Sequence, residues 1–497
     1  MSIAGDGADD LRRRTSHAVF WVALEKWGAR VTSFLVFAIL TRLIAVEDFG
    51  LLSLATIFTG VLLVFVDSSI SRVLVQRKTV TLVDSSTAFW TSVGLSVLLY
   101  ALLAATAPLL GALLGEPRLG LVLQIMGLSL PIAAVSSVPA AMLERELKFK
   151  ALSVRQLSGT LAGAAVAVPL ALAGAGVWAL VVQTLVSVAV AAVVLWLRGT
   201  WRPAFRFSRE SLRSMVGFGA GSLGIDLMTY AQANIDKLLV GALFGPTTLG
   251  YYYVAQRALI LLSELITSVI GRISLTTFSR VQDDLPRLRR AMMRMTFVTA
   301  GIAIMVFGTI ALLAEQILPF LVGGDWGPST PIFQLLAPSA ALLAVTSFDG
   351  PALLALGAVR QSFLLSLSQN IFGILLLLAA APFGVLAVAL SRSVRVLLFW
   401  PVRLIVLRRY VEMPALKYSG QVLRSLAAFL PSAAFIVGMQ FTPWAEVSQP
   451  FWAFAVPVAL VSAVLYLPLA WLFAGDENRA AVGSVLGDFV RRRPKST

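Results

Sequence analysis

Fourteen times along this chain an apolar run recurs that is long enough to cross a bilayer as a helix. The runs lie near residues 18–44, 50–71, 85–110, 119–143, 154–173, 177–197, 214–243, 249–271, 295–318, 328–348, 362–381, 384–402, 424–441 and 450–473. A hydrocarbon core of about 30 Å takes about 20 helical residues, whereas a spanning strand needs about half as many. Backbone groups in lipid must be satisfied within the segment, so runs of this length predict an all-α integral membrane fold of about fourteen transmembrane helices. With 58% hydrophobic and 13% charged residues, the apolar surface exceeds what soluble cores hide. Zero cysteines and a single histidine remove disulfides, thiolate chemistry and histidine relays, so no metal and no cofactor is expected. His17, beside the Arg12-Arg13-Arg14 run, reads as an interfacial bystander. Breakers mark the joints: Gly174-Ala175-Gly176, Gly245-Pro246, Gly323-Gly324 and Pro382-Phe383-Gly384.

A net charge of +15 in a soluble protein would suggest nucleic acid, but placement decides otherwise. With the N-terminus inside, 32 of the 40 basic residues fall in inner segments and one, Arg118, in the outer loops, which carry Glu47, Asp48, Glu116, Glu315, Asp325 and Glu446 instead. That asymmetry is the positive-inside pattern. It predicts a multi-pass protein of the cell inner membrane with both termini cytoplasmic, its basic surplus facing membrane lipids and not nucleic acid. The inner stretches at 202–213 and 286–294 read as amphipathic or extended basic segments in contact with lipid.

Seven basic residues remain, all inside predicted spans: Lys26, Arg30, Arg42, Lys237, Arg257, Arg392 and Arg395. Glu25, Asp67, Asp226, Asp236, Glu264 and Asp349 accompany them. Ionisable groups in hydrocarbon are costly and face a wet cavity or one another, so each is a candidate functional residue. Arg30 lies about 18 Å into the first span, near the midplane, and Asp226 lies at a similar depth. Two readings stay open for them, a buried structural pair or a cavity lined by cations. Glu25, Lys26, Arg392 and Arg395 sit nearer helix ends, where long side chains snorkel. Asp236 and Lys237 leave their helix roughly 100° apart, and Arg257 is a plausible partner for Asp236. Tyr251, Tyr252 and Tyr253 read as an aromatic belt at the outer interface, with sugar stacking as the alternative.

Shifting the chain by 200 residues lays Leu43 on Leu243, Gly50 on Gly250, Ala55 on Ala255, Leu62 on Leu262, Ser68 on Ser268, Ile70 on Ile270 and Arg72 on Arg272. Six spans separate the equivalents, so the halves share orientation. Two parallel six-helix bundles around a central cavity are predicted, at 18–200 and 214–409, related by an axis along the membrane normal. A linker at 201–213 joins them. A basic N-terminus occupies 1–17, two further helices 424–473, and a basic tail 474–497.

The run Asp236-Lys237-Leu238-Leu239-Val240-Gly241, followed by Leu249-Gly250-Tyr251-Tyr252 and Ala255-Gln256-Arg257, resembles the polysaccharide-export, Wzx-type branch of the multidrug/oligosaccharidyl-lipid/polysaccharide (MOP) flippase superfamily. The likeness runs from about Leu24 to Arg409. One departure is Leu275-Thr276-Thr277-Phe278-Ser279-Arg280, where relatives usually carry a proline before the serine and arginine. What the resemblance implies is a non-enzymatic transporter that flips undecaprenyl-diphosphate-linked oligosaccharide repeat units by alternating access. Its partners would be that lipid-linked oligosaccharide, membrane lipids and a polysaccharide polymerase complex. On this reading Arg30, Lys237, Arg257 and Arg392 bind the diphosphate, while Asp226, Asp236 and Glu264 balance charge or take up a coupling ion. A lipid II flippase is the nearest alternative and a multidrug cation antiporter the next. A membrane glycosyltransferase or ligase is disfavoured by short outer loops, and direct nucleotide use by the absence of a Gly-Lys-Ser/Thr phosphate loop.

Overall fold

The breakers between the apolar runs are where the backbone turns. The computed structural model describes residue 28 and residues 32–68, 71–77, 79–199, 201–444 and 452–474. They form, in order, α1 (Thr32–Leu43), α2 (Val46–Ser68), α3 (Ser71–Gln76), α4 (Leu82–Leu113), α5 (Pro117–Met126), α6 (Ser129–Arg145), α7 (Phe149–Leu172), α8 (Val177–Arg198) and α9 (Arg209–Arg280). Then follow α10 (Leu285–Leu312), α11 (Ala314–Val322), α12 (Ser329–Val345), α13 (Asp349–Ala355), α14 (Val359–Ala380), α15 (Val385–Leu398), α16 (Trp400–Val411), α17 (Ala415–Gln440) and α18 (Trp452–Phe473). Among the described residues, twelve segments are long and apolar enough to cross a membrane. Fourteen were expected. The first predicted run is described only in part, as the short α1, and the seventh and eighth fall within the single helix α9.

A straight helix of 72 residues would reach about 108 Å at 1.5 Å per residue, several bilayer cores in length. Gly245 divides it, with φ 79° and ψ 173°, and Pro246 follows. Only glycine enters that region without a Cβ penalty, and a proline after it has no amide with which to restore the ladder. The other joints use the same device: Gly174, Gly176, Gly323 and Gly384 all have positive φ.

Contacts group the chain into two compact units, Met1–Tyr253 and Val254–Thr497, which meet in sequence inside α9. In the first unit the repeat becomes a physical contact. A Cβ on Gly50 would run into the Pro246 carbonyl, and a Cβ on Gly250 would run into the Val46 carbonyl. Residues 46 and 50 are the 200-residue equivalents of 246 and 250, so the two crossings are reciprocal. Small residues at such crossings let helix backbones approach closely in lipid, where hydrophobicity supplies no drive. Gly159 and Gly163 do the same for α7, each pressed against Ser187 of α8.

Residues 201–208 of the predicted linker form an extended strap over the start of α4, and 209–213 open α9. Ser86 and Thr87 hydroxyls accept from the amides of Ala204 and Ser208, both at 3.0 Å, and the Trp90 indole donates to the Ala204 carbonyl at 3.0 Å. Phe205 and Phe207 stay exposed on it.

The second unit holds α10, α17 and α18 together through Ile304, Phe429, Ile436, Phe454 and Tyr466. Inside α12, Pro338 disturbs the ladder and a neighbouring helix repairs it. The Ser393 hydroxyl of α15 accepts from the Ser339 amide at 3.1 Å and donates to the Leu335 carbonyl at 2.6 Å. It thus bridges two groups that an undisturbed helix would pair directly.

Candidate functional site

The break at Gly245 folds α9 back on itself and fixes where its charged residues lie. Asp236 is 3% exposed and accepts a hydrogen bond from the Tyr252 hydroxyl at 2.6 Å, across the turn. Tyr252 is wholly buried, and Tyr253 stacks on Phe49 of α2 with centroids 6.4 Å apart. The aromatic belt expected here is therefore corrected for Tyr252. A buried carboxylate needs a donor, and the helix phase set by the turn supplies this one.

On the first part of α9, Asp226, Tyr230 and Lys237 fall within about 40° of one another at 100° per residue. The Tyr230 hydroxyl donates to the carbonyls of Thr56 and Ile57 on α2, at 3.0 and 3.1 Å. Gly60 leaves room for that ring. Asp226 and Lys237 are both half-buried. Arg30 lies outside the described residues, as do Glu25, Lys26 and the basic tail.

Within the second unit, Glu264 and Arg392 come together. They line a cavity of about 250 Å³ with Gln256, Ser263 and Ser339, between α9, α12 and α15. Gln256, Ile260, Ser263 and Glu264 recur with helical spacing, so one face of α9 forms a wall. Arg257, half-buried, lies seven residues before Glu264 on nearly the same stripe. The cavity brings a carboxylate and a guanidinium into apolar surroundings, where an anionic or hydroxylated ligand finds both donors and acceptors.

A second polar group in this unit escaped the sequence reading. Arg403, one residue past the predicted run 384–402, is 6% exposed on α16, inside a span that runs to Val411. Its Nε meets Asp349 at 3.1 Å and its Nη2 donates to Gln369 Oε1 at 3.1 Å. Tyr418, fully buried on α17, donates to the same Asp349 at 3.5 Å. Three helices thus share one carboxylate, and Gln369 ties in a fourth through Arg403. Arg395, expected to snorkel, instead lies 9% exposed across Gly373, whose missing Cβ makes the space for its side chain. An arginine in the run 403–424, among other basic residues, carries no sequence mark that it turns inward.

The family model described as "Polysaccharide biosynthesis protein" matches residues 39–331. Among curated relatives, the succinoglycan biosynthesis transport protein ExoT of Rhizobium meliloti is 28% identical over 340 residues, 68% of this chain and 69% of that protein. The lipopolysaccharide biosynthesis protein WzxC of Escherichia coli is 24% identical, over 72% and 74%. Among solved structures, the lipid II flippase MurJ in an inward closed conformation superposes with a TM-score of 0.74 at 13% identity, over 92% of this chain and 98% of that one. An inward-facing multidrug resistance MATE family transporter of the MOP superfamily gives 0.60 at 14% identity, over 80% and 99%. At such identities these two establish the fold alone.

Proposed function

We propose, from the premise that this chain belongs to the polysaccharide biosynthesis protein family, that it flips undecaprenyl-diphosphate-linked oligosaccharide repeat units across the cytoplasmic membrane by alternating access. The product serves assembly of an exopolysaccharide, O-antigen or lipopolysaccharide, with a polymerase as the next partner. The termini are cytoplasmic and the basic loops face inward. Neither a diphosphate nor a glycan crosses hydrocarbon bare, so the protein must supply polar contacts while the prenyl tail stays in lipid. The observation that carries this reading is the Glu264–Arg392 cavity, where a carboxylate and a guanidinium face one chamber between apolar helices. The relatives named for succinoglycan and lipopolysaccharide biosynthesis favour an oligosaccharide cargo.

In this mechanism Arg30, Lys237, Arg257 and Arg392 hold the diphosphate. Asp226, Asp236 and Glu264 offset their charge or take up the coupling ion, Asp236 being held in place by Tyr252. A charge-assisted hydrogen bond is worth about 1.5–3 kcal/mol, so Arg392→Gln, Arg257→Gln or Arg30→Gln should each lower polymer export about 10- to 100-fold with the chain still folded in the membrane. Normal export by all three variants would remove the diphosphate clamp. A lipid II cargo is separated by depletion, which would lyse the cells instead of stripping a surface polymer.

A further inference from the structure

The first unit contains a cavity of about 430 Å³ walled by α2, α6, α7 and α8, with Val75 of α3 at its edge. Its polar lining is Ser137 and Glu144 of α6, Arg155, Gln156 and Thr160 of α7, and Ser187 of α8. These walls come from the second, fourth, fifth and sixth predicted spans. The Glu264–Arg392 cavity uses the eighth, tenth and twelfth, so each unit opens between equivalent helices. Two differences separate the cavities. The first is larger, within the range of about 300–1,000 Å³ common for pockets that hold small ligands. It also lies at the helix ends: Glu144 is next to last in α6, and Arg155 is about 9 Å from the start of α7. Those ends carry Arg145, Lys148 and Lys150, which places the cavity on the basic side of the chain.

The lining argues for what enters. One carboxylate and one guanidinium cancel, leaving an amide, three hydroxyls and the apolar groups of Leu63, Val75 and Ala133. The clamp proposed above sets four cations, Arg30, Lys237, Arg257 and Arg392, toward the diphosphate, a set this cavity lacks. A balanced set of donors and acceptors beside apolar patches suits a neutral polyol, whose ring presents hydroxyls at its edge and C–H groups on its faces. Exposure falls from Glu144 and Gln156 to the 9% of Ser137, so the polar groups grade inward from an exposed end. The floor is rigid, because Gly159 and Gly163 hold α7 against α8 with no room for a Cβ. We infer that this cavity is a saccharide subsite, which receives the sugars of the lipid-linked repeat unit on the cytoplasmic side while the diphosphate is held elsewhere. The inference rests on the proposed function and assigns Gln156, Thr160 and Ser187 to sugar recognition.

The absence of cysteine from the chain makes the test clean. Thr160→Cys and Ser187→Cys place single thiols on two walls, and Leu172→Cys places one at the far end of α7. Each full-length variant, checked for export in cells, is purified into nanodiscs and modified with a maleimide. One probe is undecaprenyl diphosphate bearing a neutral trisaccharide; the other is undecaprenyl diphosphate alone. At ten times its Kd the glycosylated probe should slow modification of Thr160→Cys and Ser187→Cys about ten-fold, as expected from occupancy. The bare diphosphate should not, and Leu172→Cys should react unchanged with both. Equal protection by the two probes would overturn the saccharide assignment. So would full reactivity at both walls while native mass spectrometry shows the glycosylated probe bound, an outcome that leaves the proposed function standing. Failure of the glycosylated probe to bind the wild-type chain would remove the proposed function and this subsite together.

Discussion

The two units bury polar groups in different ways. In the first, the buried polar side chains within the spans are mostly hydroxyls that bond their own helix: Thr59 to Ala55, Ser137 to Ala134 and Ser153 to Phe149. At its helix ends Arg77 meets Asp84 at 3.5 Å and Arg118 meets Asp48 at 2.8 Å. The first also buries the Asp236 carboxylate against Tyr252, whereas the second carries both signs of charge into its interior, where Asp349, Arg395 and Arg403 are all at most 9% exposed. A hydroxyl bonded to its own helix satisfies a donor but ties no neighbour. A buried ion pair ties several helices, and it fixes them only while both partners are present. Unit one therefore relies more on close backbone approach through glycine, and unit two more on ionic cross-links.

The most severe way to break this contrast is to remove one member of the Asp349–Arg403 pair. Arg403→Met leaves a buried carboxylate, and Asp349→Leu leaves a buried guanidinium. Either should destabilise the protein by about 3–5 kcal/mol, while the double variant should cost much less than the sum of the two. Thermal unfolding in nanodiscs reads all three. Additive losses would mean that the pair does not couple the helices.

Next in size is the glycine contact of the first unit. Gly50→Ala and Gly250→Ala drive a methyl into the carbonyls of Pro246 and Val46, and overpacking of this kind costs about 1–3 kcal/mol. Because the crossings are reciprocal, the two losses should match. Gly420→Ala, in α17 with open space beside it, should be neutral or gain about 0.5–1 kcal/mol. Unequal losses at 50 and 250 would break the internal symmetry.

These residues also mark what could be read from the chain and what could not. Span lengths, and the turns at Gly174, Gly245, Gly323 and Gly384, were legible because they follow from properties of single residues: apolar length and tolerance of positive φ. The embedded Asp236, Glu264 and Arg392 stood out against apolar neighbours. Their partners did not. Three consecutive tyrosines at a span end look like an interfacial belt, and only the helix phase beyond Gly245 turns Tyr252 inward to Asp236. Glu144 and Arg155, at the edges of the runs 119–143 and 154–173, did not stand out, since a charge near a helix end reads the same whether it meets lipid or lines a cavity.

The smallest effect is expected at the acidic cluster of the first unit, where Arg118 bridges Glu47 at 3.1 Å and Asp48 at 2.8 Å. The arginine side chain is 54% exposed, so Arg118→Gln should cost no more than about 1 kcal/mol, and less at high salt. Its pH dependence is more informative than its size. Glu116, between α4 and α5, has its carboxyl raised above the usual range, by burial first and by the Glu47 charge second, while Arg118 pulls it down. A carboxyl whose folded pKa is raised binds its proton more tightly in the native state, so stability falls as pH rises from the unfolded value through the folded one. Removing Arg118 widens that window upward. Arg118→Gln should therefore lose more Tm than the wild type as pH rises across the carboxylate range. An unchanged pH profile would mean that the three carboxylates do not act as one cluster, and that charge at the helix ends of the first unit is as loosely held as its exposure suggests.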